Sequence, residues 1–324
     1  MMQLLQRIAA VCVGLGFALA ASSQPFPQKL IRIVVPFTPG TGTDTLARVI
    51  AQNLTESFKQ QVIVENRPGA NGIIAVESVA KSAPDGYTLL VTTNTTHAAN
   101  PSLLKSIPYD PIRDFAPVTK LGNFSPSMLA IDPRLPFKSV AELIAYAKAN
   151  PGKLSYATGN STGIVFGAKF ARVAGIDVLH VPYKSTPPAM ADVIGGQVSM
   201  IILDFTNGLT GAKAGKIRAL ALLSDKPHPL MPELTPLART PGFEALNAFA
   251  WLAAFAPAGT PAETVDTLNR GIVRILKRKD IIDKFFEGLG FEAFGSTPQE
   301  LGAFVASEIK KWAELVKEAG IQPQ

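Results

Sequence analysis

The chain has 324 residues, 47% of them hydrophobic and 17% charged, with 31 Lys and Arg against 25 Asp and Glu for a net charge of +6. That apolar content supports a packed core and excludes disorder as the main state, while the length accommodates two ordinary domains. One apolar run, at the N-terminus, approaches membrane-spanning length, which excludes a multispan transporter, and the scattered basic residues do not form a nucleic-acid patch.

Arg7 precedes the apolar run Ile8 to Leu19, and Ala18-Leu19-Ala20 followed by Ala21-Ser22-Ser23 supplies small residues for cleavage. A short apolar stretch after a basic residue predicts a secretory signal peptide over 1–23, cut between Ala20 and Gln24. Cys12 is the sole cysteine, so the mature chain has no thiol for a disulfide, a nucleophile or a metal. Leu30 to Pro36 is β-branched and apolar and predicts a buried strand. Leu46, Ile50, Leu54 and Phe58 then recur at helical spacing over 43–58. Strands follow at 61–65 and 87–92, with a helix over 71–82 between them. Strand–helix alternation of this kind implies a parallel sheet flanked by helices.

The middle repeats the pattern. Strands are expected at 127–131, 153–157, 178–181, 198–204 and 217–223, and helices after the capping box Ser139 to Glu142 and over 162–174 and 187–194. Thr260-Pro261 opens a helix carrying Val265, Leu268, Ile272, Ile275 and Leu276. Thr297-Pro298-Gln299-Glu300 opens the last. Further strands near Pro117 to Gly122 and Ala250 to Phe255 leave and re-enter the first unit. The expected domains are therefore 24–123 with 249–324, and 124–248.

Four stretches carry candidate chemistry. Phe37-Thr-Pro-Gly-Thr-Gly-Thr-Asp44 joins a strand to a helix, where free N–H groups and the positive helix end favour an anion; a capped tight turn is the structural alternative. The stretch lacks GxGxxG and the P-loop Lys. Gly159-Asn-Ser-Thr-Gly163 matches GxSxG between strand and helix, so a secreted serine hydrolase with Ser161 as nucleophile is the alternative function, against a plain helix cap. Its support is poor: no HGGG-like segment precedes it, and His180 and His228 are badly placed. Thr92-Thr-Asn-Thr-Thr-His97 follows the third strand and is expected to face the same crevice as the first loop. His180-Val-Pro-Tyr-Lys-Ser-Thr186 is the fourth, with Asp204 ending a later strand. With three His in total, no metal cluster is expected.

Together, VVPFTPGTGTD with Ala47-Arg48, VENRPGANG at 64–72, APDGYTLL at 83–90, HVPYKSTPPA at 180–189, GGQVSMIILD at 195–204 and FAPAGTP at 255–261 resemble the extracytoplasmic solute receptors of the tripartite tricarboxylate transporter system, the Bug family. The resemblance spans the mature chain. It implies an α/β, two-domain periplasmic binding protein of the Venus-flytrap type with the ligand cleft between domains. Small carboxylates are held in this family by backbone N–H groups and water in two facing loops, matched here by Phe37 to Asp44 and Tyr156 to Gly163. Two departures are Thr41, where the family has a second glycine after Pro-Gly, and Ser185, where a Gly is usual after Val-Pro-Tyr-Lys.

The expected ligand-binding residues are Phe37, Thr38, Gly40, Thr41, Gly42, Thr43, Asp44, Thr93, Asn94, Thr95, Tyr156, Thr158, Gly159, Asn160, Ser161, Thr162, Tyr183 and Asp204. Expected partners are a small carboxylate and either membrane transporter subunits or a sensor kinase. The expected protein is a periplasmic monomer with no cofactor, catalytic residue, metal or nucleic acid.

Overall fold

A computed structural model describes residues 26–124, 126–287 and 290–323; the expected leader at 1–23 lies outside them. In chain order the first sheet takes β1 (Ile31–Val35), α1 (Gly42–Phe58), β2 (Val62–Asn66), α2 (Ile73–Ala80) and β3 (Thr88–Thr93). A π-helical turn (Thr95–Ala99) leads to α3 (Asn100–Leu103) and β4 (Phe115–Phe124). The chain then crosses into β5 (Met128–Ile131), α4 (Val140–Ala149), β6 (Leu154–Thr158), α5 (Ser161–Ala174) and β7 (Val178–Pro182). Next come α6 (Thr186–Ile194), β8 (Met200–Leu203), α7 (Phe205–Lys213), β9 (Arg218–Leu222) and the short β10 (Thr235–Pro236). The return supplies β11 (Trp251–Pro257), α8 (Ala262–Leu276), α9 (Lys279–Ile282), β12 (Phe291–Ala293) and α10 (Pro298–Glu318).

Two six-stranded sheets result, ordered β12-β4-β11-β3-β1-β2 and β10-β9-β5-β8-β6-β7. Each has a parallel half (β3-β1-β2; β8-β6-β7) beside antiparallel strands. In parallel halves the strands' C-terminal ends and the following helix N-termini collect along one edge. That edge is where the loops after β1, β3, β6 and β8 gather.

The inner strands are buried on both faces. Ile31, Ile33 and Val35 of β1 join one apolar cluster with Leu46, Ile50 and Leu54 of α1, and Val34 joins another. This second cluster serves both sheets: Leu90 and Phe255 share it with Leu129 and Ile202, with Phe166 of α5 edge-on to Trp312 of α10 at 6.4 Å. Lys169 on α5, buried, pairs with Glu318 at the end of α10 at 2.6 Å. The last helix thus packs on the first sheet and is tied to the second.

The two crossing segments run side by side. Phe124 N–H donates to Ala250 O at 2.8 Å, and Ser127 N–H to Ala248 O at 3.0 Å. The two crossings between the sheets are thus hydrogen-bonded to each other.

Most predicted elements fall within a residue or two of their places. Two segments beside the cleft differ. Phe205–Lys213 is helical although its two glycines and two threonines give weak helix propensity; Asp204 caps it, accepting from Asn207 N–H at 3.0 Å. Thr95–Ala99, which holds the end of the Thr92 to His97 stretch, winds helically and is wholly buried.

Candidate functional site

A cleft lies between the two sheets. Its walls come from the loops after β1 (Phe37, Thr41, Gly42, Thr43), β3 (Thr93, Asn94, Thr95) and β6 (Gly159, Asn160, Thr162), from Thr186 and Asp204, and from the crossings (Phe124, Ser127, Ala250). Among these residues Asp204 alone has an ionisable side chain.

The first loop is held by a carboxylate that points away from the cleft. Asp44, buried in the first turn of α1, accepts from Gly40 N–H at 3.0 Å, from Asn66 Nδ2 at 2.9 Å and from Arg48 Nε at 3.1 Å. Burial acts to raise its pKa, but these donors outweigh it and hold the carboxyl below its ordinary value. Asn66 Nδ2 also donates to Phe37 O at 3.0 Å, fixing the loop's start. Thr41, the N-cap, accepts from Asp44 N–H at 3.2 Å. The N–H groups of Gly42 and Thr43 have no acceptor among the described residues, as expected for the opening of a helix. Gly42 is needed for packing: a Cβ there would stand 2.6 Å from the Phe124 ring.

The second loop opens α5 with Asn160 as N-cap, accepting from Gly163 N–H at 2.9 Å. Thr162 N–H has no described acceptor. Gly159 lies so close to the backbone of Ser185 that a Cβ would come within 2.2 Å of its carbonyl carbon. The two lobes touch across the cleft through neutral groups. Ser161 Oγ donates to Thr95 Oγ1 at 3.0 Å, Asn94 Nδ2 to Thr162 Oγ1 at 3.1 Å, and Thr38 Oγ1 meets Ser185 Oγ at 2.5 Å. Asn94 is wholly buried, and its Oδ1 has no partner among the described residues.

Of the residues expected from sequence, Phe37, Thr41, Gly42, Thr43, Thr93, Asn94, Thr95, Gly159, Asn160, Thr162 and Asp204 line the cleft. Thr38 bridges to Ser185, and Gly40 and Asp44 brace the first loop. Ser161 is buried in the contacts between lobes. Tyr156, Thr158 and Tyr183 lie elsewhere. Strand alternation puts residues 156 and 158 on one face of β6. There Tyr156 stacks on His180 at 4.8 Å, and Thr158 Oγ1 bonds His180 Nε2 at 2.7 Å. Tyr183 OH donates to Asp192 at 2.6 Å. Phe124, Ser127, Thr186 and Ala250 line the cleft without having been expected. Thr186 had a signal, a polar residue opening a helix before Pro187. The other three sit in crossing segments that read as ordinary strand sequence.

The nucleophile geometry is not assembled. Ser161 Oγ has Thr95 and Asn94 as its partners, and neither is a base. His180 is engaged with Thr158, and His228 packs on Phe205 at 4.0 Å. His97, wholly buried, stacks on Phe255 at 4.0 Å, and burial pushes its pKa down to about 3, so it stays neutral. Among the described residues no group of His, Cys, Asp and Glu could hold a metal.

The chain matches the family described as Tripartite tricarboxylate transporter family receptor over residues 46–321. It belongs to that family. BugT of Bordetella pertussis is 36% identical, with 99% of this chain and 98% of that protein covered. Two solved structures share the fold: an R. palustris protein with adipate (36% identity, TM-score 0.87, 92% of this chain and all of that one) and MatC from Rhodopseudomonas palustris with bound malate (31%, 0.83, 90% and all). The protein is thus a solute-binding receptor with a two-domain periplasmic binding fold, and not an enzyme. The likeness also accounts for GxSxG without a nucleophile, since the motif opens a helix at the cleft.

Proposed function

We propose that this receptor captures a small organic carboxylate in the periplasm, with the carboxylate seated between the first turns of α1 and α5. The observation that carries the reading is the pair of facing helix starts, with Gly42, Thr43 and Thr162 N–H groups uncommitted and no cationic side chain in the wall. N–H groups at helix N-termini, each bearing about half a positive charge, suit an anion. The adipate and malate seen in relatives support the same class. The wall residues named above are the ligand-binding set, and units 24–123 with 249–324 and 124–248 close on the ligand about the paired crossings. The leader at 1–23 directs export, and the loaded receptor serves transporter subunits in the membrane or a sensor kinase.

A thermal-shift screen of mono-, di- and tricarboxylates tests the reading. Ligand at 100 times its dissociation constant is expected to stabilise the folded chain by about 2.7 kcal/mol. No shift with any carboxylate, beside a shift with an uncharged or cationic solute, would overturn it.

A further inference from the structure

By chain order α5 belongs to the second sheet, yet it is bound along its length to elements of the first. Its first turn touches the loop after β3, with Ser161 Oγ on Thr95 Oγ1 at 3.0 Å. Beyond that it meets α10, which packs on β4. Ile164 and Ile321 line one groove between the lobes, and Phe166 stands edge-on to Trp312 at 6.4 Å. Farther along, Lys169 Nζ meets Glu318 Oε2 at 2.6 Å, and Arg172 Nη1 donates to the Glu318 carbonyl oxygen at 3.0 Å. Only 6% of the Lys169 side chain is exposed, against 55% for Glu318. Among the described residues Glu318 is the one acidic partner of that buried ammonium. The turn that ends α10 is shaped for the contact. Gly320, at φ +72°, takes left-handed backbone, and Ile321 N–H returns to Val316 O at 3.2 Å. A Cβ on Gly320 would stand 3.0 Å from Arg172 Nη1.

Resting on the reading above that the two units close about the paired crossings, we infer that the end of α10 is a strap. The Lys169–Glu318 pair, with the Arg172 contact, holds the lobes together, and it parts when the cleft opens. Lys169 stands on the unit 124–248 and Glu318 on the unit 249–324. Seven residues of helix, about 10 Å, separate Lys169 from Thr162 at the opening of α5. A helix is stiff over that length, so a hold on its middle also fixes its start. Lys169 and Glu318 are therefore positioning residues: they line none of the cleft and act through the first turn of α5. The physics suits a reversible tie. With the lobes together, a buried ammonium depends on one carboxylate, and losing that partner leaves an uncompensated charge. With the lobes apart, both groups regain water. The strength of the pair thus sets how often the cleft opens and how fast a bound solute leaves.

The test reads the distance between the lobes in the full mature receptor. Beyond the expected leader the chain has no cysteine. Gln52→Cys in α1 and Lys213→Cys in α7, both at exposed positions, therefore carry nitroxide labels at those two places alone. Electron–electron double resonance is recorded without any acid and with each acid of the thermal-shift screen. Glu318→Gln removes the charge and Glu318→Lys reverses it. The side chain is more than half exposed, so both variants are expected to fold. Without acid, the share of molecules at an altered, open distance should rise about threefold in Glu318→Gln and about tenfold in Glu318→Lys, as a two-state equilibrium shifts with the lost and then repelling charge. That gradation with charge is a result a packing role would not give. Distances unchanged in both folded variants overturn the strap, even where their melting temperatures fall, because the pair would then only stabilise the fold. An acid that changes the wild-type distance while neither variant does removes the strap and keeps the closing reading. No change with any acid or variant removes both. Opening in the graded order supports the strap whatever the carboxylate screen returns, since these distances need no ligand.

Discussion

The loops after β1 and β6 share one plan, a strand running into a helix whose first N–H groups face the cleft, yet they are supported by different physics. The first is braced by charge: Asp44 gathers Gly40, Arg48 and Asn66 behind the loop. The second is braced by contact: Gly159 sits against the Ser185 backbone, and Ser161 and Thr162 bond the neutral side chains of the opposite lobe. Strand and helix suffice to aim a helix start at a cleft. What keeps it aimed is supplied from outside the loop, and the supply differs between lobes. The two loops should therefore fail under different perturbations.

The largest effect is expected from Gly159→Ala. Its Cβ would meet backbone, which cannot rotate aside, so the loop or α6 must move. Overpacking of this kind typically costs about 1–3 kcal/mol, and backbone contact places this case at the upper end. Urea melts should show that loss, with no ligand-dependent rise in melting temperature; an unchanged midpoint would show that the Ser185 contact does not support the loop.

Gly42→Val comes next. Here the obstacle is the Phe124 ring, which can swing, so the cost is about 1–2 kcal/mol and the chain still folds. The displaced ring and added side chain are expected to abolish carboxylate binding by calorimetry. Retained binding would remove Gly42 from the ligand seat.

Asp44→Ala should weaken the first loop alone, by about 0.5–1.5 kcal/mol near neutral pH, because three donors lose their acceptor. The pH dependence has a definite sign. The folded pKa of Asp44 lies below the ordinary 3.8, so its contribution is present above that value and disappears as pH falls through the folded pKa. Melts of Asp44→Ala and wild type should thus converge in strong acid. Asp204 on the opposite wall has the reverse sign. Burial raises its pKa above 3.8, so the penalty on its charged form is absent below that value and sets in as pH rises through the folded pKa. Any stability gained in Asp204→Asn should accordingly vanish in acid, and a gain that persists there would point to packing instead.

The smallest effect is expected from Lys184→Ala. Lys184 is exposed and lines none of the cleft. Stability and binding should stay within about 0.5 kcal/mol of wild type. A large loss of affinity would move the anion seat from the helix starts to this side chain.

Much of the molecule was legible in one dimension because its signals are local. β-branched runs such as Ile31 to Val35, the stripe Val265 to Leu276, and Thr297 with Glu300 each carry their structure within a few residues. The reading of the two loops as helix starts rested on the same kind of signal, and eleven of the expected residues line the cleft. What sequence could not decide depends on long-range approach. Asp44 and Asp204 both stand at the opening of a helix, yet one turns inward to Arg48 and Asn66 and the other faces the cleft, because their neighbours come from distant segments. Tyr156 and Thr158 share a motif with Gly159 but lie on the face of β6 turned toward His180, a choice made by strand register. Phe124, Ser127 and Ala250 became walls only when the crossings paired. Local chemistry determined the strands, the helices and their starts; the packing of two sheets decided which side chains meet across the space between them.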